Sequence, residues 1–65
     1  MKKIRMIIEK GNDGTLWGRI KYKNDLMVDS AKRESTLKRR MTNLLKDFYG
    51  LEPNKFELKI KYQQG

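Results

Sequence analysis

Strict alternation of apolar and charged residues marks the segment at positions 55–62 of this chain. The apolar members are Phe56, Leu58, Ile60 and Tyr62, and the charged residues between them are Lys55, Glu57, Lys59 and Lys61. Because successive side chains of a β-strand point to opposite faces of a sheet, this pattern predicts a strand with one buried and one ionic face. The sheet that contains this strand is therefore expected to be covered on one face only.

The same alternation predicts two further strands, at residues 3–10 and 15–22. The residues that share their buried face are Ile4, Met6, Ile8, Leu16, Ile20 and Tyr22. The segment at 11–14, Gly-Asn-Asp-Gly, consists of residues that tolerate positive φ angles, so the two strands are expected to form an antiparallel hairpin. After a second turn at residues 23–25, a short third strand is predicted at 26–28.

A helical period follows in the second half of the chain. Apolar residues recur there at intervals of three and four, at Leu37, Met41, Leu44, Leu45 and Phe48. This spacing predicts an amphipathic helix with a single apolar stripe. Ser35 is the expected N-cap residue, and Gly50 and Pro53 are expected to end the helix.

The resulting order, β-β-β-α-β, predicts an α+β fold in a single domain that spans all 65 residues. The helix is expected to pack its stripe on the apolar face of an antiparallel sheet, which makes two layers. A chain of this length buries a small core. It contains neither Cys nor His, so neither disulfides nor a zinc site is expected to stabilise it. Self-association as a homodimer is the remaining common way to stabilise a domain with so small a core, and we expect it here.

The charge balance is strongly basic. Sixteen Lys and Arg residues against eight Asp and Glu give a net charge of +8. Such a surplus is typical of proteins with a polyanionic partner, but it also occurs on soluble proteins whose Lys residues are spread over the surface. Apolar runs such as Met6-Ile7-Ile8 are too short to span a membrane or to form the core of a signal peptide. The cysteine-free composition fits a cytoplasmic protein.

Catalytic chemistry is poorly supported by the residue types present. The absence of His and Cys removes the usual nucleophile–base pairs and histidine general bases. The carboxylates of Asp13, Asp25 and Asp29 are expected in turns or at strand ends, where Asp commonly bonds to nearby backbone. We therefore expect no enzymatic activity, no metal and no cofactor.

The sheet face away from the helix is the strongest candidate for a binding surface, and it is predicted to present Ile7, Trp17 and Met27. The candidates for contacts with nucleic acid or an acidic partner are Arg5, Arg19, Lys21, Lys38, Arg39, Lys59 and Lys61. An aromatic residue in a basic sheet face is typical of base-stacking surfaces, whereas an apolar patch bordered by polar groups is typical of protein interfaces. Because this patch offers one ring among aliphatic residues, we rank a protein interface first, nucleic acid second and a satellite core around Trp17 third.

Residues 1–15 run from Met1 to Thr15 through Ile8-Glu9 and Asp13-Gly14. This segment resembles the start of HicB-like antitoxin domains, whose first strand often runs into an Ile-Glu…Asp-Gly turn. The β-β-β-α-β order and the amphipathic last strand are similar too, and the likeness is specific over residues 4–20.

That resemblance implies a non-enzymatic, antitoxin-type module that binds and blocks a small HicA-type mRNA-cleaving toxin. It also implies a partial, inactive ribonuclease-H-like sheet with one helix, assembled as a dimer or higher oligomer, and here expected as a stand-alone domain without a DNA-binding tail. The rival hypothesis is a small nucleic-acid-binding protein that uses the face around Trp17, Arg19 and Lys21. Its layout would be similar to integrase arm-type DNA-binding domains, which read DNA with a sheet.

Overall fold

The computed structural model describes residues 1–63. Within that range the elements are, in order, β1 (Lys2–Lys10), β2 (Leu16–Tyr22), β3 (Asp25–Ala31), α1 (Glu34–Tyr49), a 3₁₀ turn (Pro53–Lys55) and β4 (Phe56–Tyr62). The strands form one sheet in the order β3-β2-β1-β4, and α1 packs across one face of it. The α+β class and the β-β-β-α-β order predicted from the sequence are confirmed.

One strand pair departs from the predicted antiparallel sheet. The pairs β1–β2 and β2–β3 are antiparallel, whereas β4 lies parallel to β1, with Ile4 opposite Leu58 and Met6 opposite Ile60. The prediction of a wholly antiparallel sheet was wrong because alternation along a strand specifies its faces and not its direction. The direction follows from the connection: α1 carries the chain back along the sheet, so β4 starts at the same end as β3.

The core lies between the sheet and α1. Its buried side chains belong to Ile4, Met6, Ile8, Ile20, Tyr22, Met27, Ala31, Leu37, Met41, Leu45 and Phe56. Gly18 lets the helix approach β2 closely, since a Cβ at this position would lie 3.0 Å from Cδ2 of Leu37. The absence of a side chain at Gly18 thus makes room for a fully buried leucine of α1.

The two ends of α1 differ. At the C-terminus Gly50 adopts a left-handed φ of 66° and donates its N–H to the carbonyl of Lys46 at 2.9 Å, as predicted. At the N-terminus the prediction of Ser35 as the cap was wrong, because α1 begins at Glu34 and Arg33 occupies the cap position without a side-chain bond. The carboxylate of Glu34 in the first turn complements the helix dipole there.

No helix in residues 1–63 combines the length and hydrophobicity that crossing a lipid bilayer requires.

Strand β3 is longer than the three residues predicted for it. It extends from Asp25 to Ala31, and its whole length pairs with β2, from Tyr22 opposite Asp25 to Leu16 opposite Ala31. The prediction was too short because the second half of β3 is polar and has weak intrinsic strand preference. Pairing with β2 overrides that preference. The consequence is a full-length strand at one edge of the sheet.

Candidate interaction surface

The face of the sheet turned away from α1 is uncovered, and we call it the open face. Residues directly opposite each other in paired strands point to the same side. Ile7 lies opposite Arg19, and Arg19 lies opposite Val28, so these three form one row across the open face. The register places on this face Lys3, Arg5, Ile7, Glu9, Trp17, Arg19, Lys21, Leu26, Val28, Ser30, Glu57, Lys59 and Lys61.

An apolar patch occupies the half of the open face formed by β2 and β3. The residues Trp17, Leu26 and Val28 are 50%, 63% and 52% exposed. A shallow depression lies among them, and the half-buried Ile7 extends the patch toward β1. We call Trp17, Leu26 and Val28 the apolar patch. Several large apolar side chains left in water side by side are typical of a docking surface.

Met27 does not belong to the open face. It lies opposite Ile20, is 9% exposed and packs in the core beneath α1. Its predicted place on the open face was wrong because the sequence-based boundaries of β3 left the register open, and a shift of one residue exchanges the two faces. Leu26 and Val28 occupy the open-face positions instead.

The register of β3 is set by the loop that precedes it. Lys23 and Asn24 form a two-residue loop in which both have positive φ, 50° and 67°. Two-residue hairpin loops of this kind fix the pairing of the flanking residues, here Tyr22 with Asp25. Counting outward from such a loop puts Met27 opposite Ile20 and leaves its neighbours on the open face.

Basic residues dominate the rest of the open face. Six cations lie on it, namely Lys3, Arg5, Arg19, Lys21, Lys59 and Lys61, against two carboxylates, Glu9 and Glu57. We call Arg5, Lys59 and Lys61 on β1 and β4 the basic strip. The apolar patch and the basic strip therefore lie side by side on one surface.

Some of these cations are already paired. Arg19 donates from Nη1 to Oε1 of Glu9 at 2.9 Å and from Nη2 to the side-chain oxygen of Gln63. Lys59 Nζ lies 3.0 Å from Oε1 of Glu57, and this bond lowers the pKa of the Glu57 carboxyl from its usual value. Arg5 and Lys21 make no ion pair with any other residue in the range 1–63. The Arg19 guanidinium beside Trp17 is therefore already paired, whereas Arg5 and Lys21 are unpaired within the described residues.

Lys38 and Arg39 lie on the other side of the domain. Both are exposed on α1, which covers the sheet face opposite to the open face. The structure brings Arg5, Arg19, Lys21, Lys59 and Lys61 onto one surface and does not bring the two helix cations to it. The predicted set of phosphate contacts is therefore divided between two layers.

The carboxylates considered as metal ligands each have a local hydrogen bond. Asp13 Oδ1 accepts from the backbone N–H of Thr15 at 3.0 Å, and this bond is the main cause of the lowered pKa of Asp13. Asp25 Oδ2 accepts from the hydroxyl of Tyr49 at 2.5 Å, and Asp29 Oδ1 accepts from the N–H of Ser30 at 2.7 Å. Among the described residues, no group of three or more His, Cys, Asp or Glu side chains is placed to hold a metal ion.

Comparison with known proteins assigns no family to this chain. No family model, no curated protein and no solved structure matches it. The likeness to HicB-like antitoxin domains and to a partial ribonuclease-H-like sheet therefore remains a prediction from the sequence. The functional hypothesis rests on the geometry of the open face.

Proposed function

We propose that this chain is a non-enzymatic protein-binding module that docks on its partner through the open face. The observation that carries this proposal is the apolar patch, in which Trp17, Leu26 and Val28 are all at least half exposed on adjacent strands. Covering half-exposed side chains of this size contributes on the order of 1 kcal/mol each. A partner that buries the apolar patch therefore gains affinity without any rearrangement of the domain.

Two features of the patch favour a protein over nucleic acid. Its further members, Leu26 and Val28, are aliphatic, whereas surfaces that stack bases are built on aromatic rings. The carboxylate of Glu9 lies directly opposite Trp17 and is bound to Arg19. A phosphate that approached the indole would meet a negative charge and a guanidinium that is already neutralised.

The chemistry around the patch specifies the kind of partner. The basic strip beside it favours a protein that presents acidic side chains next to an apolar centre, since complementary charges speed association and fix orientation. The resemblance of residues 1–15 to HicB-like antitoxins adds a biological role. On the basis of that resemblance, and not of the charges, we take a small HicA-type mRNA-cleaving toxin as the partner class, and neutralisation of that toxin as the function.

Growth of cells that produce both proteins tests this function. A HicA-type toxin from the same genome is produced alone, with the wild-type chain, or with Trp17→Lys. The wild-type chain is expected to restore growth and Trp17→Lys to fail, because a charge replaces the largest side chain of the apolar patch. Tyr62→Lys is the matched control, since Tyr62 is 54% exposed but lies on the helix side of β4.

The opposite results would contradict the proposal. Folded Trp17→Lys that neutralises the toxin as well as the wild-type chain would show that the open face is not the contact. Tight binding of an oligonucleotide above physiological salt, with quenching of Trp17 fluorescence, would favour the rival nucleic-acid function. Binding at low salt would decide nothing, because a net charge of +8 attracts any polyanion weakly.

A further inference from the structure

The two edges of the sheet are very different in composition. The strand order makes β3 one edge and β4 the other. Strand β4 carries Lys59 and Lys61, and charged side chains, Lys above all, are the usual means by which edge strands avoid pairing with other chains. Strand β3 contains no Lys, Arg or Pro, although the chain has sixteen Lys and Arg in all. Strand β3 itself therefore lacks the charged side chains that β4 has, although Arg40 of α1 reaches its C-terminal end and donates to the carbonyl of Ser30 at 2.7 Å.

The surface along the β3 edge is apolar on both sides. On the open face lie Leu26 and Val28. On the helix side a groove between β3 and the C-terminal half of α1 is lined by Asp25, Leu26, Met27, Val28, Leu44, Phe48 and Tyr49. Phe48 is 71% exposed, although it continues the apolar stripe of α1. No residue that lines this groove is basic, and its acidic member, Asp25, is bonded to the hydroxyl of Tyr49.

We propose that the β3 edge pairs antiparallel with the β3 edge of a second copy of this chain, so that two four-stranded sheets become one continuous sheet. Two molecules that each carry a charge of +8 repel each other, and they approach with least repulsion along residues 25–28 and the groove, where neither presents a cation. A symmetric dimer uses the same patch on both subunits, and antiparallel pairing of two identical strands meets that condition. Main-chain groups of both edges gain hydrogen bonds, and at Ser30 the new bonds replace those that its N–H and carbonyl make with Asp29 and Arg40.

One register fits the charges of β3 best. With Val28 opposite Val28 of the second copy, Met27 lies opposite Asp29, Leu26 opposite Ser30 and Asp25 opposite Ala31. Asp25 and Asp29 then never face each other, whereas a pairing centred on Met27 would place them directly opposite, which is unfavourable. In the favoured register both helices lie on one side of the joined sheet. The two apolar patches meet at the symmetry axis on the other side.

This pairing does not depend on the function of the open face, and the mass of the protein in solution tests it. Sedimentation equilibrium is expected to show a species of twice the 7.8 kDa chain mass. Phe48→Lys is expected to raise the dissociation constant of the dimer by at least about tenfold, because it places a charge in the groove. Tyr62→Lys, an exposed aromatic at the opposite edge, is expected to leave it unchanged. Both positions are exposed, and circular dichroism checks that each variant is folded.

A cross-linking experiment tests the register itself. The chain contains no Cys, so Val28→Cys introduces a single thiol that lies opposite its own copy in the proposed dimer. Mild oxidation with glutathione disulfide is expected to join two chains of Val28→Cys much faster than two chains of Lys61→Cys, which carry the thiol on the β4 edge. Equal cross-linking rates would contradict the proposed pairing.

Two sedimentation results would also overturn the proposal. One is a monomer at every concentration up to about 1 mM. The other is a dimer that Trp17→Lys disrupts and Phe48→Lys does not. The latter would place self-association on the open face around Ile7 and Trp17, as predicted from the sequence, and not on the β3 edge.

Discussion

Arg19 is bound to Glu9 across the β1–β2 pair, with 2.9 Å between Nη1 and Oε1, directly beside the indole of Trp17. Both side chains are partly exposed, and such pairs contribute about 0–1 kcal/mol to stability. We expect the effect of this pair on nucleic-acid binding to be larger than its effect on folding. It neutralises the cation that a base-stacking surface would need next to its aromatic ring.

Glu9→Gln is expected to strengthen the weak binding of an oligonucleotide at low salt, because the change frees Arg19 and removes a negative charge from beside Trp17. Fluorescence anisotropy of a labelled single strand measures the affinity. Glu57→Gln, which frees Lys59 far from the indole, is the matched control and is expected to have a smaller effect. Unchanged binding by Glu9→Gln would contradict the shielding role of this carboxylate.

Met27 and Val28 are neighbours on β3, but Met27 is buried in the core and Val28 is exposed on the open face. Met27→Ala is expected to lower the free energy of unfolding by about 2–5 kcal/mol, because it leaves a cavity in the core. Val28→Ala, at a position 52% exposed, is expected to cost less than about 1 kcal/mol. Urea denaturation measures both. Equal costs at the two positions would contradict the register of β3.

Gly18→Ala is expected to destabilise the fold by about 1–3 kcal/mol through overpacking, because the added methyl would lie 3.0 Å from Cδ2 of Leu37. The same change is expected to cost less in a Leu37→Ala background, where the side chain that causes the clash is absent. Urea denaturation of the four proteins measures the coupling. If Gly18→Ala cost the same in both backgrounds, close packing of β2 against α1 would not be the cause.

The hydroxyl of Tyr49 donates to Asp25, and this bond raises the pKa of Tyr49 from 10.0 to about 12. A group whose folded-state pKa is raised stabilises the fold fully below its unfolded pKa and loses that effect as the pH rises through the folded value. Part of the alkaline loss of stability between about pH 10 and pH 12 is therefore expected to come from Tyr49. Tyr49→Phe, followed by urea denaturation across this range, is expected to lose less stability with pH than the wild-type chain. If the unfolding free energies of the two proteins fell identically with pH, Tyr49 would not contribute to the alkaline loss of stability.

The faces of most elements could be predicted from the sequence. Alternation assigned Ile4, Met6, Ile8 and Ile20 to the core, and the helical period did the same for Leu37, Met41 and Leu45 of α1, because burial on one side leaves a strict period in the chain. The direction of β4 could not be predicted in this way. It depends on the path of the connection through α1, and the pattern within the strand is the same for either direction.

The candidate site was predicted less completely than the fold. Ile7 and Trp17 were assigned to the open face from strands with clear alternation. Leu26, Met27 and Val28 form an unbroken apolar run, in which periodicity cannot distinguish the two faces. The register was settled by the two-residue loop at Lys23 and Asn24, which the structure shows. Phe48 follows the helical stripe but lies where no further strand covers it, since β3 is the edge of the sheet.

The central claim, that the apolar patch is the docking site for a protein, is tested most directly by nuclear magnetic resonance of the ¹⁵N-labelled chain during titration with a HicA-type toxin from the same genome. The expected result is that shifted amide signals cluster at Trp17, Leu26 and Val28, and that a single-stranded RNA causes no comparable shifts at physiological salt. Signals that shift along the outer surface of α1 and not on the open face, or an RNA that shifts the Trp17 region as strongly as the toxin does, would contradict the claim.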